Sequence, residues 1–145
     1  MKDDRLRVSF ETEYVAAVGL AMFTFARLEW DAIWCIEKMT AGSIQAMSDR
    51  TAGGIANELV KLVAARGLPP SDPFVVAADD FKRLVKVRNA IAHGKPAAAP
   101  DGGQRLFRDG TPWTVETLND ASDEFTDCQV RMNDILYGYL GHPKS

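Results

Sequence analysis

The stretch "KVRNAIAHGKP", Lys86–Pro96, decides how this chain is read. It starts as an amphipathic helix and stops at Gly94 and Pro96: glycine is the usual left-handed helix cap, and proline prevents continuation. Working backwards, the helix it ends begins near Pro73, a residue suited to a first turn. Projected at about 100° per residue, Ala78, Phe81, Leu84, Val85, Ile91 and Ala92 form one apolar arc, with Arg88 near its middle. A cation in that position needs a partner or a task. Asn89 and His93 share a flank of the arc with Lys82 and Lys86, whereas Arg88 and His93, five residues apart, diverge by roughly 140°.

Three more helices are predicted around this one. The first runs from about Glu11 to Met39, the second from about Ile55 to Arg66, ending at Gly67, and the last from Val115 or Thr117 to Leu140. "TAGS" and "SDRTAGG" read as turns, "LPPSDP" as a rigid connector and "GKPAAAPDGGQ" as a small-residue loop. In "RLFRDGTPWTV", Asp109-Gly110 between apolar pairs predicts a short β-hairpin, which Pro112 confines to an edge. The expected fold is all-α: one domain over residues 1–145, a four-helix up-and-down bundle with a loop and hairpin between its last two helices.

The first helix carries the opposite anomaly. Tyr14, Val18, Ala21, Met22, Phe25, Leu28, Ala32, Ile36 and Met39 line one face, and Glu29 lies inside it. Two complementary charges inside two apolar faces predict a Glu29–Arg88 contact, since each would otherwise be stranded in a low dielectric. Phe23, Trp30 and Trp34 gather on the opposite side of the same helix, which therefore needs a second neighbour or a partner molecule.

Composition narrows the function classes. A net charge of −3 and a pI near 5.4 do not describe a protein that coats nucleic acid. Locally, however, Lys82, Arg83, Lys86, Arg88 and Lys95 form a basic run without one acid. Cys35 and Cys128 lie far apart on apolar stripes and read as buried free thiols. There is no metal-ligand spacing, no Glu-x-x-His pair and no phosphate loop, so neither a metal nor a cofactor is expected. The apolar part of the first helix is too short to span a bilayer and the N-terminus lacks signal-peptide character. The expectation is a cytoplasmic protein with no membrane partner.

"VRNAIAHGK", together with "FARLEW" in the preceding long helix, resembles the HEPN superfamily of small all-α domains. Its signature is an arginine followed about four to six residues later by a histidine near a helix end, and Arg88, Asn89 and His93 match it, including the polar residue after the arginine. The resemblance implies a metal-independent endoribonuclease, a toxin or defence effector acting as a homodimer in which the arginine and histidine of two subunits meet. It implies RNA as substrate, and an antitoxin or other protein as a further partner. Other members are inactive binding or dimerisation modules, which is the alternative. Toxins paired with nucleotidyltransferase antitoxins often carry a tyrosine two residues after the histidine; here Lys95 stands there.

The chemistry fits these residue types. Cleaving RNA without a metal needs a base for the 2′-hydroxyl proton and an acid for the leaving 5′-oxygen, and histidine serves both roles near neutrality. His93 is the candidate acid/base, Arg88 the clamp on the phosphorane, Asn89 an orienting group for the imidazole or a donor to phosphate, and Lys82, Lys86 and Lys95 the guides for the RNA backbone. The other histidine, His142, sits in the tail "GHPKS", so two subunits are needed to supply two catalytic histidines.

Overall fold

The computed structural model describes residues 2–141. A short 3-10 helix, Asp4–Arg7, precedes five α-helices: α1 (Thr12–Met39), α2 (Ile44–Ser48), α3 (Ala52–Ala64), α4 (Pro73–Ala92) and α5 (Val115–Tyr137). A three-stranded antiparallel sheet, β1 (Lys95–Ala98), β2 (Gln104–Arg108) and β3 (Thr111–Pro112), lies between α4 and α5. His142, in the tail, lies outside the described residues. No helix among the described residues is long and apolar enough to cross a membrane.

Local chemistry sets the helix ends. Asp72 accepts from the Phe74 N–H at 2.9 Å, with Pro73 in the first turn of α4. Thr114 and Thr117 cap α5 reciprocally: each hydroxyl accepts from the other's backbone N–H, at 3.1 and 2.8 Å. The expected turn "SDRTAGG" instead opens α3, because Thr51 caps the Gly54 N–H at 3.1 Å and a first turn tolerates its two glycines. Helix α2, which falls between the two expected turns and was not expected as a helix, is held from a distance: the Glu37 carboxylate of α1 accepts from the Gly42 and Ile44 N–H groups.

The packing order departs from an up-and-down bundle. Tyr14 reaches Trp113, the Phe25 and Phe125 rings lie 5.2 Å apart, Asp31 accepts from Gln129 at 2.8 Å, and the Cys35 thiol points at the Met132 carbonyl. These contacts advance together along both chains, so α1 and α5 run parallel. Helix α4 runs opposite to α5, since Phe74 meets Tyr139, Ala77 meets Cys128 and Arg83 meets Glu124. The sheet consequently sits where α4 ends and α1 and α5 begin. Apolar periodicity reports which face of a helix is buried and not its direction, so this arrangement is absent from the stripes.

The sheet holds more order than the expected loop and hairpin. Asp109 (φ 49°) and Gly110 (φ 80°) make the two-residue turn between β2 and β3, with Arg108 opposite Thr111 and the β3 proline on the edge. The additional strand, β1, falls within "GKPAAAPDGGQ" and pairs Lys95 with Phe107 through Ala98 with Gln104. Pro96 is tolerated opposite Leu106 because both backbone groups of Leu106 are engaged elsewhere: its N–H donates to the Tyr14 hydroxyl at 2.9 Å and its carbonyl accepts from the Trp113 N–H at 2.8 Å. Gly94 is not left-handed as expected of a cap. Its constraint is space, since a Cβ there would come within 2.9 Å of Leu106 Cβ.

The core is built from α1, α3, α4 and α5 around Phe25, Phe81 and Phe125, all nearly inaccessible. Tyr14 ties this core to the sheet, accepting from Leu106 and donating to the Trp113 carbonyl at 2.8 Å. Tyr14→Phe leaves the Leu106 N–H without its partner, and we expect a loss of about 1–3 kcal/mol in urea unfolding. A variant as stable as the parent would show that water replaces the hydroxyl.

Candidate functional site

The last two turns of α4 position Arg88, Asn89 and His93, and α1 supplies the surface opposite. Arg88 is half-buried, with its Cζ 5.5 Å from the centre of the Phe25 ring. Its Nη1 donates to Asn89 Oδ1 at 2.8 Å. That bond turns the long side chain away from the middle of the apolar arc and toward the flank that carries Asn89. The π face of Phe25 and the Asn89 oxygen are the compensation the buried guanidinium required.

Glu29 does not form the expected ion pair: no carboxylate oxygen lies within 4.0 Å of Arg88 among the described residues. The two charges still sense each other. Burial raises the Glu29 pKa above its ordinary value, and the attraction of Arg88 opposes but does not overcome that rise. A shared face placed both charges in the right layer, but helix projection carries no information on how far apart their side-chain ends lie.

His93 is the C-terminal cap residue of α4 and is exposed. Its backbone N–H closes the helix on the Asn89 carbonyl at 2.9 Å. Asn89 is half-buried, and its Oδ1 is committed to Arg88 rather than to the imidazole. Ala92, expected within the apolar arc, is exposed, so the helix end opens to solvent where the motif stands.

The basic run divides into two classes. Arg83 is compensated, by Asp80 at 3.8 Å and Glu124 at 3.5 Å. Lys82 and Lys86 are exposed on the flank of Asn89 and His93, and Lys95 is exposed at the start of β1. Among the described residues none of these three lysines has a carboxylate within 4.0 Å. The unpaired cations therefore gather near Arg88 and His93, where an anion's charge would be met by side chains that no acid already neutralises.

Phe25 is the component that sequence reasoning left in the core. Its only sign was its position one turn before Glu29 on the face that meets α4. A cleft of about 540 Å³ lined by Phe10, Tyr14, Pro96 and Leu106 lies beside the sheet and excludes Arg88, Asn89 and His93. The cation beside it, Arg105, is neutralised by Glu11 at 3.2 Å and Asp101 at 3.3 Å. No three His, Cys, Asp or Glu side chains gather as a metal site among the described residues. Burial pushes the thiols of Cys35 and Cys128 up to about 12, which leaves both protonated and unreactive near neutrality.

The raised Glu29 pKa has a testable sign. Only between the ordinary value of 4.5 and the higher folded pKa does the folded chain hold a proton on Glu29 that the unfolded chain has released, so this contribution to stability is present below 4.5 and is lost as pH rises through the folded pKa. We expect Glu29→Gln to flatten that part of the stability–pH profile and to match or exceed the parent at neutral pH. A glutamine variant less stable at pH 7 by more than about 1 kcal/mol would mean that attraction to Arg88 outweighs burial. Compared with known proteins, the chain matches no family model, no curated protein and no solved structure.

Proposed function

We propose that the chain is a HEPN-like, metal-independent endoribonuclease, a toxin or defence effector of the cytoplasm, working as a homodimer with a composite Arg/His site. One observation carries the reading: the exposed His93 shares a flank with uncompensated Lys82 and Lys86, beside an arginine that Asn89 draws toward that flank. A polyanion is the substrate that such a surface favours.

In the proposed reaction the 2′-oxygen attacks the adjacent phosphorus, and the bond to the 5′-oxygen breaks. His93 of one subunit takes the 2′-hydroxyl proton and that of the other returns a proton to the departing 5′-oxygen, leaving a 2′,3′-cyclic phosphate. Arg88 offers its unengaged N–H donors to the phosphorane. Asn89 holds that guanidinium rather than the imidazole, which revises its role to positioning Arg88. Glu29 biases the same guanidinium through its field, and Lys82, Lys86 and Lys95 guide the RNA backbone.

The second reading, a binding or dimerisation module of the same fold with no catalysis, draws on the Arg88–Phe25 contact, which is a sufficient structural reason for a buried arginine. The two separate in one assay. Labelled single-stranded RNA in chelator should be cleaved, with His93→Ala lowering turnover by about 10²–10⁴ while RNA binding holds. Lys86→Ala should weaken binding and reduce the salt slope by about 1. DNA should be spared for want of a 2′-hydroxyl. Equal cleavage by parent and His93→Ala, or none of any RNA, would remove the nuclease reading.

A further inference from the structure

Helix α1 carries a second face that nothing among the described residues covers. Phe23 is 62% exposed, Trp30 48%, Trp34 36% and Val15 48%, although all four are large apolar side chains on one side of a single helix. Exposed aromatics in a contiguous stripe mark an interaction surface rather than a solvated one. Gly19 and Ala26 lie on the same stripe and are also exposed. Gly19 has no explanation among the described residues: it sits within the helix, where glycine is unfavourable, and a Cβ there would meet nothing within 4 Å.

The order of these residues identifies the occupant. Val15, Gly19, Phe23, Ala26, Trp30 and Trp34 are spaced by 4, 4, 3, 4 and 4 residues, a pattern symmetric about the midpoint between Thr24 and Phe25. Reversing the helix about that point places Trp30 on Gly19, Phe23 on Ala26 and Trp34 on Val15. Each large side chain then meets a smaller one. A parallel pairing in register would instead set Trp30 on Trp30 and Phe23 on Phe23. Charges on the rim agree. Glu13 and Lys38 occupy the same flank at opposite ends of α1, both exposed and neither in an ion pair within the described residues, so antiparallel pairing brings opposite signs together at both ends.

We propose that this face is the seam of a two-fold dimer in which α1 of one copy packs antiparallel on α1 of a second copy, with Trp30 seated over Gly19. The area is sufficient. Half-exposed aromatic rings offer about 100 Å² each, and with Val15 and Leu20 the two copies together reach the roughly 1,000 Å² expected of a specific interface. Self-complementarity of one patch is what a two-fold contact requires. The seam lies on the side of α1 away from Phe25 and Arg88, so it is a contact between copies separate from the composite Arg/His site, and it stands without RNA cleavage.

Sedimentation and a spin-label distance test it. The parent should sediment as a dimer at tens of micromolar. Gly19→Leu, which adds a side chain where its own chain leaves open space, should weaken association at least tenfold with unchanged helical content. A nitroxide on Lys38→Cys should report about 40 Å between copies, from the helix rise on either side of the two-fold. The buried native thiols stay unlabelled. A monomeric parent, association indifferent to Gly19→Leu, or a label distance below about 20 Å, as parallel helices would give, overturns the proposal. A dimer of this geometry that cleaves no RNA removes the nuclease reading alone, whereas a cleaving monomer removes this one.

Discussion

The contact between Arg88 and the Phe25 ring is the point on which the arrangement of this protein turns. Phe25 lies at the centre of the core, edge-on to Phe125 of α5 and stacked near Phe81 of α4, so its position is fixed by three helices together. A cation resting on that ring inherits the rigidity of the core. This gives a guanidinium in an apolar layer a stabilising surface without a salt bridge, and with Asn89 as its hydrogen-bonded neighbour most of its N–H donors remain unengaged. An arginine locked to a carboxylate would have been satisfied and silent. One held by a ring and an amide stays positively charged toward whatever approaches.

The sheet contributes by closing the end of the helical core at which this arginine stands. Because α4 and α5 are antiparallel, the chain reverses direction between them, and it does so through β1, β2 and β3. The Tyr14 hydroxyl fastens that turn to α1, and Gly94 lets Leu106 approach the end of α4. His93 is thereby held between a capped helix and a paired strand, with Lys95 starting the strand. The loop-like composition of "GKPAAAPDGGQ" conceals an element that gives the motif its fixed exit.

What the sequence disclosed and what it withheld divide along physical lines. Pro73, Gly67, the Asp109-Gly110 turn and the apolar arc of α4 are local signals, and each stands where its chemistry requires. Arg88 was legible as an anomaly because a charge interrupts a periodic pattern. Its actual partners were not, because Phe25 looks like any core residue and Asn89 was read as orienting the imidazole or donating to phosphate. Helix α2 depends on Glu37, several residues away on another element. Strand β1 depends on a tyrosine hydroxyl that relieves the backbone opposite Pro96. The separation of Glu29 from Arg88 depends on side-chain reach, which a wheel projection omits. Non-local contacts made each of these choices.

The parallel alignment of α1 and α5 also constrains the order of folding. The contacts that join them span 97 to 102 residues of sequence, so nearly the whole chain must be present before α1 can be sheltered by its principal neighbour. Ring closure over such a distance carries a heavy entropic cost, whereas α3 and α4 are neighbours in the chain and can associate early. Of these helices α1 emerges first and waits longest for its principal neighbour, with its inner face incompletely covered until α5 is made and its outer face open throughout. A nascent helix in that condition is as available to a neighbouring nascent copy as to its own C-terminal half, and polysome spacing then becomes part of how the molecule is built.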